Sequence, residues 1–143
     1  NLYRMLMNST PMASGWLNLL TNVRYNAKLD GQSRELAICE VASVTKAEYE
    51  WRAHARLALQ EGISQAQLDT LPNWRTGQFS DKQQAVLGYA EQSTSNVEVD
   101  DATFAAVQKH FNSQEILELT VTIGAYNMVS RLLVALKVDI EDA

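Results

Sequence analysis

The sequence predicts an all-α fold, and three observations carry that expectation. Apolar residues recur three and four apart along the chain, with no sustained alternation of period two. Only 6 Gly and 2 Pro interrupt 143 residues, and a low content of both favours helices. With 46% hydrophobic and 20% charged side chains, the chain has the size of one compact unit with a sizeable core, so residues 1–143 are read as a single domain.

Each element follows from its local signals. Pro11 is expected to end a short first helix, after which Met12, Trp16, Leu19, Leu20 and Val23 keep helical spacing to about Asn26. Asp30-Gly31 makes a turn. Ser33 is the expected cap of a third helix that packs Leu36, Ile38, Cys39, Val41, Ala42 and Val44 and stops near Thr45. Thr45 with Glu48 three residues on is a capping-box pattern, opening a fourth helix to about Gln60 that Gly62 closes. Ser64 and Asp69 bracket a short helix ending at Pro72, and Asn73 to Gln78 reads as a loop. Ser80 or Asp81 starts a helix burying Val86, Leu87, Tyr89 and Ala90, and Asp100 or Asp101 caps one with Phe104, Val107 and Phe111 on a single face.

Ser113 begins the last and longest helix, which is apolar around much of its circumference from Ile116 to Leu136. An element of this kind in so small a unit meets either a second subunit or, as the central helix of a monomer, its own core on all sides. The first reading predicts a homo-oligomer. Glu118, Asn127, Arg131 and Lys137 interrupt the stretch, which argues for a buried helix and against a membrane span. The segment Asn1 to Met5 lacks the long apolar run of a signal peptide, and the expectation is a soluble, cytoplasmic protein.

Charge and cysteine content narrow the chemistry. Twelve Lys plus Arg against 17 Asp plus Glu leave a formal charge of −5, which opposes the phosphate neutralisation that nucleic-acid binding needs. The single Cys39 excludes an intrachain disulfide, a Cys-x-x-Cys dithiol and a Cys-rich zinc site, and suits a reducing compartment. Only His54 and His110 supply imidazole, without His-x-x-x-His spacing, so no metal site is expected. Ser43 and Ser130 lack a nucleophile-elbow context, and no Gly-rich loop supports a nucleotide cofactor.

The densest cluster of reactive side chains runs from Glu48 to Arg56. Glu50 and His54 stand four apart, so they share a helix face and reach one another or a common ligand. A carboxylate beside an imidazole holds the ring's orientation, which suits His54 to shuttling protons near neutral pH. Read blandly, the two are an ordinary helix pair. Glu35 approaches His54 if the third and fourth helices pack antiparallel across the Thr45 turn; otherwise it is a first-turn acid on a helix dipole. Cys39, one turn later, reads as a small buried hydrophobe. Glu48, Arg52 and Arg56 form another row. Tyr49 and Trp51 supply an aromatic wall or core, and Tyr126, Asn127 and Arg131 need partners inside an apolar helix.

Four stretches together resemble one family: Arg34-Glu35-Leu36-Ala37-Ile38, Glu48-Tyr49-Glu50-Trp51-Arg52-Ala53-His54, Ala58 to Gly62, and Tyr126 to Leu133. In order and spacing they are similar to the carboxymuconolactone decarboxylase family, which includes the alkylhydroperoxidase D-like proteins. The resemblance implies an alkylhydroperoxidase D-like helical bundle whose copies assemble into trimers or hexamers. Its peroxidase branch uses a Cys-x-x-Cys-x-x-x-His motif after a glutamate on the preceding helix. His54 and Glu35 match the histidine and that glutamate, while Ala47 and Glu50 stand where the cysteines belong. With no thiolate in the motif there is no disulfide to cycle. Its decarboxylase branch carries Glu-x-Lys-x-His, to which Glu50-x-Arg52-x-His54 is close.

The sequence therefore points to a cofactor-free, metal-free homo-oligomeric enzyme acting by acid–base chemistry on a small organic acid or lactone. His54 is the expected proton shuttle, with Glu50 and Glu35 orienting it or relaying protons. Arg52 is the expected ligand of a substrate carboxylate, although it points about half a turn away from Glu50 and His54. Tyr49, Trp51, Tyr126 and Asn127 are the expected pocket lining. The alternatives are a non-catalytic oligomeric binding protein that keeps the pocket and, third, residual peroxide reduction.

Overall fold

The computed structural model describes residues 1–140, and every regular element among them is helical. The helices are α1 (Leu2–Leu6), α2 (Thr10–Thr21), α3 (Gly31–Thr45), α4 (Glu48–Gln60), α5 (Gln65–Thr70), α6 (Asp81–Asn96), α7 (Asp101–Gln108) and α8 (Ser113–Ala135). A π-helical turn, Asn22–Asn26, continues α2, and a 3-10 turn, Leu71–Thr76, continues α5.

Several boundaries differ from the sequence reading, each for a local reason. Pro11 lies in the first turn of α2 and starts that helix; α1 has already ended at Leu6. Proline lacks only an N–H that the first turn leaves unpaired anyway. Asp30, not Ser33, caps α3, its Oδ1 accepting from the Ser33 amide at 2.8 Å. The Thr45–Glu48 capping box does not form. Thr45 Oγ1 donates back to the Val41 carbonyl at 2.7 Å, a local bond that competes with capping. The following Lys46 adopts φ 56°, and α4 begins after Ala47 with no side-chain cap. The segment expected as a loop from Asn73 begins inside the 3-10 turn.

Helix α3 occupies the centre, packed against α4, α6 and α8, and buries Ser33 and every residue from Glu35 to Ala42. Of the two readings of α8, the one in which its own core seals it on all sides does not hold for this chain. Leu119, Ile123, Tyr126, Val129 and Leu133 face inward, whereas Leu117, Val121, Met128 and Val134 are exposed on this chain. An open groove beside that outer face is lined by Leu19, Val23, Ala27, Leu117 and Val121. No helix among the described residues is long and apolar enough to cross a membrane.

The connection between α3 and α4 positions the site. With Lys46 left-handed, the Ala47 amide reaches back to the Ala42 carbonyl at 2.9 Å, and the chain reverses within two residues. The start of α3 is thereby laid alongside the later turns of α4.

Candidate active site

Glu35, on the second turn of α3, meets His54 of α4 across 19 positions of sequence: His54 Nδ1 lies 2.6 Å from Glu35 Oε2. The other Glu35 oxygen accepts from Arg34 Nε at 3.0 Å, and Arg34 Nη2 lies 3.6 Å from Glu61 Oε1. On the far side of the ring, Glu50 Oε2 stands 3.4 Å from His54 Nε2 and has no hydrogen-bond partner among the described residues. His54 is 1% exposed, Glu35 2% and Glu50 3%. One imidazole is thus held between two carboxyls in the interior of the protein.

The two acids sit in opposed electrostatic environments. Burial works against ionisation of Glu35, but the hydrogen bond and charge of His54 and then of Arg34 outweigh it and hold this carboxyl below its ordinary value. Burial pushes Glu50 up, and the nearby charges of His54 and Arg24 only partly offset it, while Glu35 adds to it. Glu35 is accordingly the carboxylate and Glu50 the group inclined to keep a proton. An ionised Glu35 accepts the Nδ1–H, and Nε2 is the ring nitrogen that faces Glu50.

Tyr126 from α8 closes the site, its ring edge-on to His54 with centroids 4.9 Å apart. Its hydroxyl accepts from Arg24 Nε at 2.9 Å, and the guanidinium carbon lies 6.0 Å from the ring centroid. Burial, partly offset by Arg24 and reinforced by Glu50 and Glu35, drives the phenol's proton affinity upward, so Tyr126 stays neutral. Arg24 comes from the π-helical turn, a kind of segment that is frequent at functional sites.

The remaining sequence candidates lie elsewhere. Arg52 is on the outer face of α4, its side chain 60% exposed and paired with Glu48 at 2.7 Å. Tyr49 and Trp51 pack partly buried against the core, and Trp51 lines a shallow depression with Ser43, Lys46 and Pro72. Asn127 turns toward α6, donating to Thr94 Oγ1 at 2.9 Å and accepting from Arg131 at 2.7 Å. Two residues of the network escaped the sequence reading, Arg34 and Arg24. The first is the immediate neighbour of Glu35; the second joins Tyr126 over 102 positions of chain, and no periodicity signals that.

Sulfur is absent from this constellation. Cys39 is fully buried, and burial together with the negative charge of Glu35, Glu40 and Glu50 drives its thiol's proton affinity up. A thiolate nucleophile is therefore disfavoured. No group of three or more His, Cys, Asp or Glu positioned for a metal ion occurs among the described residues.

Comparison with known proteins adds the following. The family model described as Carboxymuconolactone decarboxylase family matches residues 11–92. The uncharacterized protein YnjA of Escherichia coli K12 is 30% identical over 122 residues, covering 84% of this chain; the chain spans 64% of that relative's length. A protein of unknown function from Agrobacterium tumefaciens has a TM-score of 0.89 at 20% identity, over 97% of each chain. The alkylhydroperoxidase AhpD core of a peroxidase-related protein from Ralstonia eutropha JMP134 has a TM-score of 0.85 at 15% identity, over 96% of this chain and 75% of its own. At these identities the two structures show that the fold is AhpD-like.

Proposed function

We propose that this chain, which belongs to the carboxymuconolactone decarboxylase family, is an acid–base enzyme of decarboxylase or lyase type acting on a small organic acid or lactone. The observation that carries this reading is the placement of two buried carboxyls on opposite nitrogens of His54. Environments that push neighbouring acids apart separate an orienting carboxylate from a proton donor. Glu35 fixes the ring, and Glu50 holds the proton that the ring moves.

In a decarboxylation the bond to the carboxylate carbon breaks, its electron pair passes into the conjugated carbonyl system as a dienolate, and carbon dioxide leaves. The dienolate then takes up one proton at carbon. In the proposed step Glu50 passes its proton to Nε2, and the imidazolium so formed delivers it to the substrate. The charge of Glu35 steadies the imidazolium between the two transfers. Glu50 is recharged from solvent, so the cycle uses neither a metal nor an organic cofactor. Leu117, Val121 and Met128, beside the groove that Leu19 lines, support assembly of copies into a trimer or hexamer.

The depth of the three side chains favours one second reading, a ligand-binding member without turnover. Steady-state turnover of carboxymuconolactone-type acids by wild type, His54→Ala and Glu50→Gln separates the two. Each variant is expected to lose about 10²- to 10⁴-fold in kcat. Undiminished turnover by His54→Ala overturns the shuttle, and saturable binding with no wild-type turnover selects the binding reading.

A further inference from the structure

We infer that Arg24 is the residue that docks the anionic end of the substrate, with Tyr126 aiming its guanidinium toward His54. The inference deepens the acid–base reading and rests on it for where the reacting end lies.

Arg24 Nε donates to the Tyr126 hydroxyl at 2.9 Å. Neither of its terminal nitrogens has a hydrogen-bond or ion-pair partner among the described residues. One edge of the guanidinium is thus fixed while two amino groups remain for a ligand. A planar fork held this way matches the two oxygens of a carboxylate. Arg24 is half-buried, whereas Tyr126, His54 and Glu50 are buried, so the cation stands outermost in the line that leads to the imidazole.

The spacing suits a small molecule. The Tyr126 ring is near both groups, its centroid 6.0 Å from the guanidinium carbon and 4.9 Å from the imidazole centroid. In this proposal an acid of a few carbons docked on Arg24 extends its other end toward the His54–Glu50 edge. Glu35 and Glu50 leave the interior short of positive charge for such a guest, since Arg34 is committed to Glu35. Arg52, the sequence's choice for this task, is on the opposite face and already paired with Glu48. Arg24 lies within the π-helical turn Asn22–Asn26.

Binding of benzoate against its neutral isostere benzamide, followed by NMR titration of the wild-type protein, tests this without turnover. Wild type is expected to bind benzoate in preference to benzamide. Arg24→Met should weaken benzoate about tenfold or more and abolish that preference, Arg24→Lys should retain part of it, and Arg52→Met should change it less than about twofold. Equal binding of the two probes by wild type overturns the inference, as does loss of benzoate selectivity in Arg52→Met with none in Arg24→Met. If Arg24 governs benzoate while His54→Ala keeps full turnover, the docking residue stands and the shuttle falls.

Discussion

Replacing Glu35 by glutamine removes one charge at constant size, and its consequences follow from two bonds. Glu35 Oε2 faces His54 Nδ1 at 2.6 Å and Oε1 accepts from Arg34 Nε at 3.0 Å. A glutamine offers one acceptor, so its amide nitrogen must confront whichever donor is left. Each charge-assisted bond is worth about 1.5–3 kcal/mol, and breaking a buried pair costs about 3–5 kcal/mol. Arg34 is 15% exposed and has Glu61 at 3.6 Å, so solvent and that second acid relieve part of the loss. Glu35→Gln should therefore destabilise the fold by about 2–4 kcal/mol at pH 7. Urea denaturation at fixed protein concentration measures it, with an unchanged m-value. The pH dependence supplies the sign. Glu35's carboxyl is held below its ordinary 4.5 in the folded protein, so its contribution is complete above that value and fades as pH falls through the folded value. The gap between wild type and variant should be constant above about pH 5 and should close on acidification. Equal stability at pH 7, or a gap that widens in acid, refutes an ionised Glu35 on His54.

Two further substitutions test groups outside the relay. Glu40 is 3% exposed and its Oε2 has no hydrogen-bond partner among the described residues; burial and then the charge of Glu91, opposed by Arg75, push its carboxyl up to about 8. A folded value above the unfolded 4.5 means stability that falls as pH rises from about 4.5 to about 8, by on the order of 5 kcal/mol. Glu40→Gln should be more stable than wild type by about 2–5 kcal/mol at pH 8 and converge with it near pH 4.5; a wild-type curve flat across that window in urea titrations sinks the idea. Cys39→Ala should keep wild-type turnover and lose about 1–2 kcal/mol of stability from a small cavity. Peroxide treatment of the native protein should leave the Cys39 thiol titratable after unfolding, and steady peroxide consumption driven by a thiol reductant contradicts the account of a sealed sulfur.

What the sequence disclosed and what it concealed divide along physical lines. Helical periodicity is a property of each segment, so the eight α-helices of the described residues were foreseeable with errors at their ends. Those errors arise where one residue type serves two purposes. Pro11 can stop a helix or start one, and Ser33 and Asp30 are both capping residues. Thr45 satisfied the capping-box pattern yet bonded within its own helix. The central place of α3 is hidden from hydropathy, which ranks α8 above it, because Glu35 and Glu40 disguise a helix whose residues from Glu35 to Ala42 are all buried. Within the site, the Glu50–His54 relation follows from four-residue spacing, and Glu35 follows from a short turn between antiparallel helices. Arg24 depends on a π-turn and a partner 102 positions away, and neither leaves a trace in local pattern.

Position 50 is where the chain departs from the peroxidase-type motif that its sequence resembles. In the peroxidase branch that the sequence resembles, a cysteine stands four residues before the histidine; here Glu50 takes that place. Both residue types share that helix face, but the two demand different things of the surroundings. A thiol nucleophile must lose its proton, so it needs nearby positive charge. A proton donor must keep its own, so the proposed role of Glu50 needs a dry setting; burial supplies it, reinforced by Glu35 and opposed by the charges of His54 and Arg24. The same surroundings drive Cys39 toward the neutral thiol. Burial and neighbouring carboxylate charge favour the protonated form at both positions 50 and 39, so the raised carboxyl of Glu50 and the inert sulfur of Cys39 share those two causes.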